Sequence, residues 1–126
     1  MNPQQLRERT WEFSKRTRRF CVPLFRTVEY EYPARQLRRS SASTASNYRA
    51  ACIARTTHNR IAKLDIVLEE ADESAFWSAD MLDSGLQNRE LDWISNEAQE
   101  LTRIFGAARR TLMNQEGGRA ERDPNQ

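Results

Sequence analysis

Glu69, Glu70, Asp72 and Glu73 form the densest carboxylate cluster in the chain. On a helix, steps of three place Glu69 with Asp72 on one face and Glu70 with Glu73 on an adjacent one. A carboxylate-rich bundle that holds two irons needs Glu-x-x-His motifs on two helices. The single histidine, His58, has no glutamate three residues before it, so no metal site is expected. The cluster reads instead as an acidic pairing face for arginines such as Arg38, Arg39, Arg49 or Arg55. No Ser/His/Asp or Cys/His set, phosphate loop or dinucleotide fingerprint is present. The expectation is a protein that is not an enzyme, with no catalytic residue and no cofactor.

Gln36, Ser40, Ser43 and Asn47 recur at spacings of three and four and so share a helical face. Such a face could form a polar site, but its expected role is an interhelical hydrogen-bond network that fixes register. Cys21 and Cys52 lack CxxC spacing and lie among apolar or small residues, where cysteine packs as a small hydrophobe.

The basic residues make the remaining candidate site. Residues 1–63 carry 14 Lys/Arg against 4 Asp/Glu, and residues 64–126 carry 6 against 14. A net charge of +2 therefore hides halves of +10 and −8. The halves could neutralise each other within or between subunits, or the basic half could attract nucleic acid. Arg7, Lys15, Arg16, Arg19, Arg38, Arg39, Arg49 and Arg55 are the expected contacts, with Trp11, Tyr30, Tyr32 and Tyr48 interleaved among the basic residues. Arginine forks suit phosphate and aromatic rings stack on unpaired bases. The same residue types are enriched in protein interfaces.

Helices must position these groups. Leu6, Thr10, Phe13, Thr17, Phe20 and Leu24 fall on one face of a first helix that Pro23 interrupts, giving residues 4–22. A second, 29–55, carries Leu37, Ser41, Thr44, Tyr48, Ala51 and Arg55 through a serine-rich run whose small side chains permit close approach of a neighbour. Thr56 or Thr57 caps a third helix, 57–84, with seam Ile61, Leu64, Leu68, Ala71, Ala75, Ala79 and Leu82, widened by Val67 and Phe76, and Gly85 as its stop. Asn88 opens the fourth, 88–113, where Leu91, Ile94, Ala98, Leu101, Phe105, Ala108 and Leu112 keep heptad spacing. Residues 114–126 have nothing to bury and are expected to be a disordered tail. The modest 38% hydrophobic content fits long helices with narrow seams. The expected fold is all-α: a single-domain, antiparallel up-down-up-down four-helix bundle over residues 1–113. A polar N-terminus and the lack of about 20 consecutive apolar residues point to a cytoplasmic protein with no membrane partner.

The blocks Gln36-Leu37-Arg38-Arg39-Ser40, Ser46-Asn47-Tyr48-Arg49-Ala50-Ala51-Cys52 with Ala54-Arg55, and Glu69-Glu70-Ala71-Asp72-Glu73 with Phe76-Trp77 carry a family likeness. In order and distance they resemble the four-helix-bundle family named after the 23S rRNA intervening-sequence protein. The resemblance spans about residues 10–112. It implies an antiparallel bundle assembling as a ring, typically a homopentamer. For relatives linked to diversity-generating retroelements it implies nucleic-acid binding beside a reverse transcriptase. Many members read Asn-Ile-Ala-Glu-Gly where this chain has Asn47-Tyr48-Arg49-Ala50-Ala51, so the acidic residue and the glycine have no counterpart here. Together these readings give a non-enzymatic homo-oligomeric scaffold binding RNA or single-stranded DNA. The alternative is a structural or protein-binding ring without nucleic-acid affinity.

Overall fold

A computed structural model describes the backbone of residues 1–122 and the side chains of residues 1–118. Four helices, α1 (Pro3–Cys21), α2 (Glu31–Cys52), α3 (Thr57–Asp83) and α4 (Arg89–Arg122), pack as a bundle, and no strand occurs among the described residues.

Local chemistry accounts for most of the boundaries. Asn2 and Gln5 form a reciprocal capping box at α1, and Pro3 occupies the first turn, where a missing amide costs nothing. Pro23 then ends the α-ladder and the chain tightens into a 3-10 turn, Val22–Arg26. Helix α2 starts at Glu31, two residues later than expected. The Thr27 hydroxyl accepts from the Tyr30 amide at 3.2 Å, holding residues 28–30 in a turn. It also ends early, at Cys52. Arg60 reaches back from α3 to the Ala51 and Ala54 carbonyls, at 3.4 and 3.3 Å, and satisfies acceptors that another turn would have used. Thr56 caps α3 by accepting from the Asn59 amide. Gly85, at φ +101°, closes that helix in a Schellman motif, with Leu86 N–H to Met81 O and Gly85 N–H to Leu82 O. Asn88 accepts from the Glu90 and Leu91 amides at the start of α4.

Helix α4 continues to Arg122, so the structureless tail expected from 114 is not what residues 114–122 show. Elongating an existing helix needs no new nucleus, and this extension is rich in helix formers despite Gly117 and Gly118. Residues 123–126 lie outside the described residues.

The core is built where the seams meet: Leu6 and Phe13 from α1, Leu37 and Tyr48 from α2, Leu64 and Val67 from α3, and Leu91, Ile94, Leu101 and Phe105 from α4. The second half of the α3 seam departs from expectation. Ser74, Ser78 and Met81 are fully buried, whereas Ala75 and Leu82 are half-buried and Ala79 and Phe76 are exposed. Leu68 is also only half-buried. From Ala71 the stripe steps by three to Ser74 rather than by four to Ala75, because the buried hydroxyls find partners. Ser74 Oγ lies 2.7 Å from Ser40 Oγ, and Ser78 donates to the Ser74 carbonyl.

Cross-pairs give the sense of the helices. Arg9 meets Glu97 and Arg16 meets Glu90, so α4 numbers fall as α1 numbers rise. On α2 and α3, Tyr32 meets Trp77, Ser40 meets Ser74 and Ala51 meets Arg60, in the same opposed manner.

Candidate nucleic-acid interface

Arginines on the first two helices divide into two sets by their neighbours. Arg16 makes a fork to Glu90, at 2.7 and 3.1 Å, and its guanidinium lies 3.5 Å from the centre of the Trp93 ring. Arg9 makes a fork to Glu97 at 2.9 and 2.6 Å, and Arg39 spans Glu73 at 2.6 Å and Glu70 at 3.3 Å. These carboxylates hold the guanidinium protons of Arg9, Arg16 and Arg39 more firmly than usual, chiefly through the hydrogen bonds themselves. Between α3 and α4, Arg109 pairs with Asp65.

Five on α1 and α2 make no ion pair among the described residues: Arg19, which lies apart, and a set of four, Arg7, Arg18, Arg38 and Arg49. All four line one groove. Along α1 the groove takes Arg7, Trp11, Ser14 and Arg18; along α2 it takes Arg38, Ala42, Ala45 and Arg49. Both rows step by four, three and four, which keeps one helical face toward the groove. Arg7 stands with Arg49 at one end and Arg18 with Arg38 at the other. The groove consists of two adjoining hollows of about 270 and 350 Å³ that share Trp11, Ala45 and Arg49. Its one carboxylate among the described residues is Glu8, at the Arg7 end. Trp11 is 56% exposed, an unusual state for so large an aromatic unless something is to cover it. Small residues on α2 leave the ring face open, and Lys15 Nζ stands 5.8 Å from its centre.

Of the expected contacts, the groove gathers Arg7, Arg38 and Arg49. Arg16 and Arg39 are committed to carboxylates, and Lys15 pairs with Glu12 at 3.2 Å. Arg19 lies apart, in a hollow with Glu12 and Glu90, and Arg55 is exposed in the α2–α3 connection. Arg18 completes the groove, set apart from Arg19 in the sequence only by its spacing of seven from Trp11. The tyrosines are elsewhere: Tyr48 is buried against Phe105, and Tyr32 stands edge-on to Trp77.

The acidic cluster splits as well. Glu70 and Glu73 take Arg39 from α2, while Glu69 and Asp72 face outward, unpaired among the described residues. Burial pushes the Glu70 carboxyl above the usual range against the pull of Arg39. Glu73 is held below it, first by the hydrogen bond from Arg39. The polar quartet is not an interhelical network. Only Ser40 bridges helices; Asn47 donates to the Ser43 carbonyl and hydroxyl within α2, and Gln36 makes no side-chain hydrogen bond among the described residues. Cys21 is fully buried, and burial pushes its thiol up to about 12, which leaves it inert at neutral pH. No helix among the described residues is long and apolar enough to cross a membrane.

A crystal structure of a protein of unknown function from the S23 ribosomal protein family, from Bacteroides thetaiotaomicron VPI-5482, superimposes with a TM-score of 0.78. The match covers 87% of this chain and 99% of that one at 24% sequence identity. This chain shares the fold of an S23-family bundle. The likeness agrees with the resemblance carried by the α2 and α3 blocks, and at this identity it speaks for fold alone. No protein-family model and no curated protein matches the sequence.

Proposed function

We propose that this bundle is a non-enzymatic, homo-oligomeric scaffold that binds RNA or single-stranded DNA in the α1/α2 groove. One observation carries the reading: four arginines without carboxylate partners, Arg7, Arg18, Arg38 and Arg49, converge on one groove around an exposed tryptophan, while Arg9, Arg16 and Arg39 on the same two helices are consumed by ion pairs. Arg7 and Arg18 are separated along α1 by roughly 16 Å, about five nucleotide steps at the spacing of a stacked strand. Guanidinium forks supply phosphate contacts and Trp11 a face on which a base can stack.

The test is fluorescence anisotropy with labelled single-stranded oligonucleotides over a salt series. Binding should weaken steeply with salt, by a log–log slope of roughly 0.7 per phosphate contacted. The Arg18→Gln/Arg49→Gln double variant should flatten that slope by about 1.4. Arg16→Gln should leave it unchanged, since Arg16 is held by Glu90. Absence of binding at low salt would overturn the proposal.

A second reading has its own observation. The outer face of α3 exposes Glu69, Asp72, Asp80 and Asp83 together with Phe76, a face complementary to a basic, small-residue groove. A neighbouring copy seated there would make a head-to-tail contact, which closes into a ring when the rotation allows. The family resemblance implies a ring of five. Light scattering of the double variant separates the readings: loss of oligomeric mass, without nucleic-acid binding in the parent, assigns the groove to assembly.

A further inference from the structure

The bundle has a second hollow, which shares Arg7 with the groove but is otherwise apolar-walled. At the end where α1 and α3 begin and α2 ends, α4 passes a cavity of about 500 Å³. That size lies within the range of roughly 300–1,000 Å³ typical of small-molecule pockets. Leu6, Ala51, Leu64, Ala108 and Leu112 form apolar walls. The hole exists because seam positions 51 and 108 carry alanine where a larger residue would fill the space.

The polar groups at this cavity carry one sign of charge. Arg7 and Arg60 line it, and no carboxylate does among the described residues. Arg60 spends its Nε and one Nη on the Ala51 and Ala54 carbonyls, leaving its other terminal nitrogen uncommitted there. Among the described residues Arg7 bonds only the neutral Gln4 amide oxygen. Tyr48 is 7% exposed and also lines the cavity; its hydroxyl has no oxygen or nitrogen partner among the described residues and lies beside the Cys52 thiol, a weak partner. Burial pushes the Tyr48 phenol up, with Cys52 adding to the shift, so it stays a protonated donor at neutral pH.

An apolar cup bordered by two guanidinium groups and the hydroxyl of a largely buried tyrosine suits one ligand chemistry. We propose that this cavity binds an anionic amphiphile, an acyl chain of medium length ending in a carboxylate. The chain displaces water from the alanine and leucine walls. The carboxylate accepts hydrogen bonds at the rim, from Arg7 and from the uncommitted nitrogen of Arg60. The site shares Arg7 with the groove, but Trp11, Arg18, Arg38 and Arg49 take no part in it, so the Arg18→Gln/Arg49→Gln variant that tests the groove leaves this cavity intact.

The test is isothermal titration calorimetry of the full chain with decanoate, below its micelle concentration, against octanoate and neutral decan-1-ol. Decanoate should bind, with affinity rising roughly fourfold per added methylene. Decan-1-ol should bind at least tenfold more weakly, and Arg7→Gln should remove most of that difference. Ala108→Phe should abolish binding by filling the cup. Thr111→Trp, at an exposed position on the mouth, should weaken binding at least tenfold without touching the core. No heat with decanoate, equal affinity for the alcohol, or unchanged binding by Thr111→Trp with a native melt would each overturn the proposal.

Discussion

The two edges of α1 carry the same residue types to opposite ends. Toward α4, Arg9 and Arg16 meet Glu97 and Glu90, Trp93 lies under Arg16, and Phe13 packs against Trp93 at 6.4 Å. Toward α2, Arg7, Arg18 and a half-exposed Trp11 face Arg38 and Arg49, with no carboxylate but Glu8 among the described residues. The first edge is a completed interface, whose charges and ring are neutralised and covered within the chain. The second has the same components without their complements. Composition is therefore a poor guide to which arginines are free. What decides is the helix that happens to lie opposite, and α4 is acidic where α2 is basic.

Substitutions can sharpen that contrast. The largest effect belongs to the core behind the completed edge: Leu101→Ala should cost about 2–5 kcal/mol in a denaturant melt, as for other buried leucines. Trp11→Ala, although it removes a much larger side chain, should change stability by less than about 0.5 kcal/mol while weakening oligonucleotide binding. A large loss of stability there would mean that the groove is structural. Next in size, Glu97→Gln takes the anion from Arg9 and should cost about 1 kcal/mol, since both side chains are largely covered. Thr17→Val should run the other way. The Thr17 hydroxyl is buried without a partner among the described residues, so an apolar isostere is expected to raise stability by about 1 kcal/mol.

The smallest effects come from Arg39 and its two carboxylates, and they are opposed in sign. Glu73, held low, contributes stability that is present above the ordinary glutamate value and lost as pH falls through its lowered one. Glu70, held high, contributes below the ordinary value, and that contribution is lost as pH rises through the raised one, so at neutral pH its charge is a cost. Hence Glu73→Gln should lower the melting temperature at pH 7 and Glu70→Gln should raise it. Both shifts should shrink in acid, where the parent residues are themselves protonated. Each should stay below about 1 kcal/mol, because Arg39 is half-exposed and screened by solvent. Equal and same-signed shifts would mean that Arg39 does not distinguish the two.

Four helices, the cap at Thr56, the stop at Gly85 and the heptad seam of α4 were legible in the residue pattern. Each rests on interactions within a few residues, which a linear sequence displays. The α3 seam beyond Ala71 was not, because alanine looks more core-like than serine until Ser40 is seen to supply the partner of Ser74. The end of α2 was hidden for the same reason: Arg60, eight residues downstream of Cys52, takes the carbonyls.

For the candidate site, the sequence by itself determined that a surplus of arginine lay on α1 and α2 and a surplus of acid on α3, with α4 balanced. It also carried the spacing that lines up Arg7, Trp11 and Arg18 on one face and Arg38 and Arg49 on another. Only the tertiary structure decided which of those arginines meet a carboxylate, since pairing depends on residues about 30 to 90 positions apart. An isolated helix has no preference between its charged faces. That choice is made when burial of the seams sets the rotation of each helix, and the charges must then accept whatever neighbours the packing of Phe13, Leu37, Leu101 and Phe105 brings.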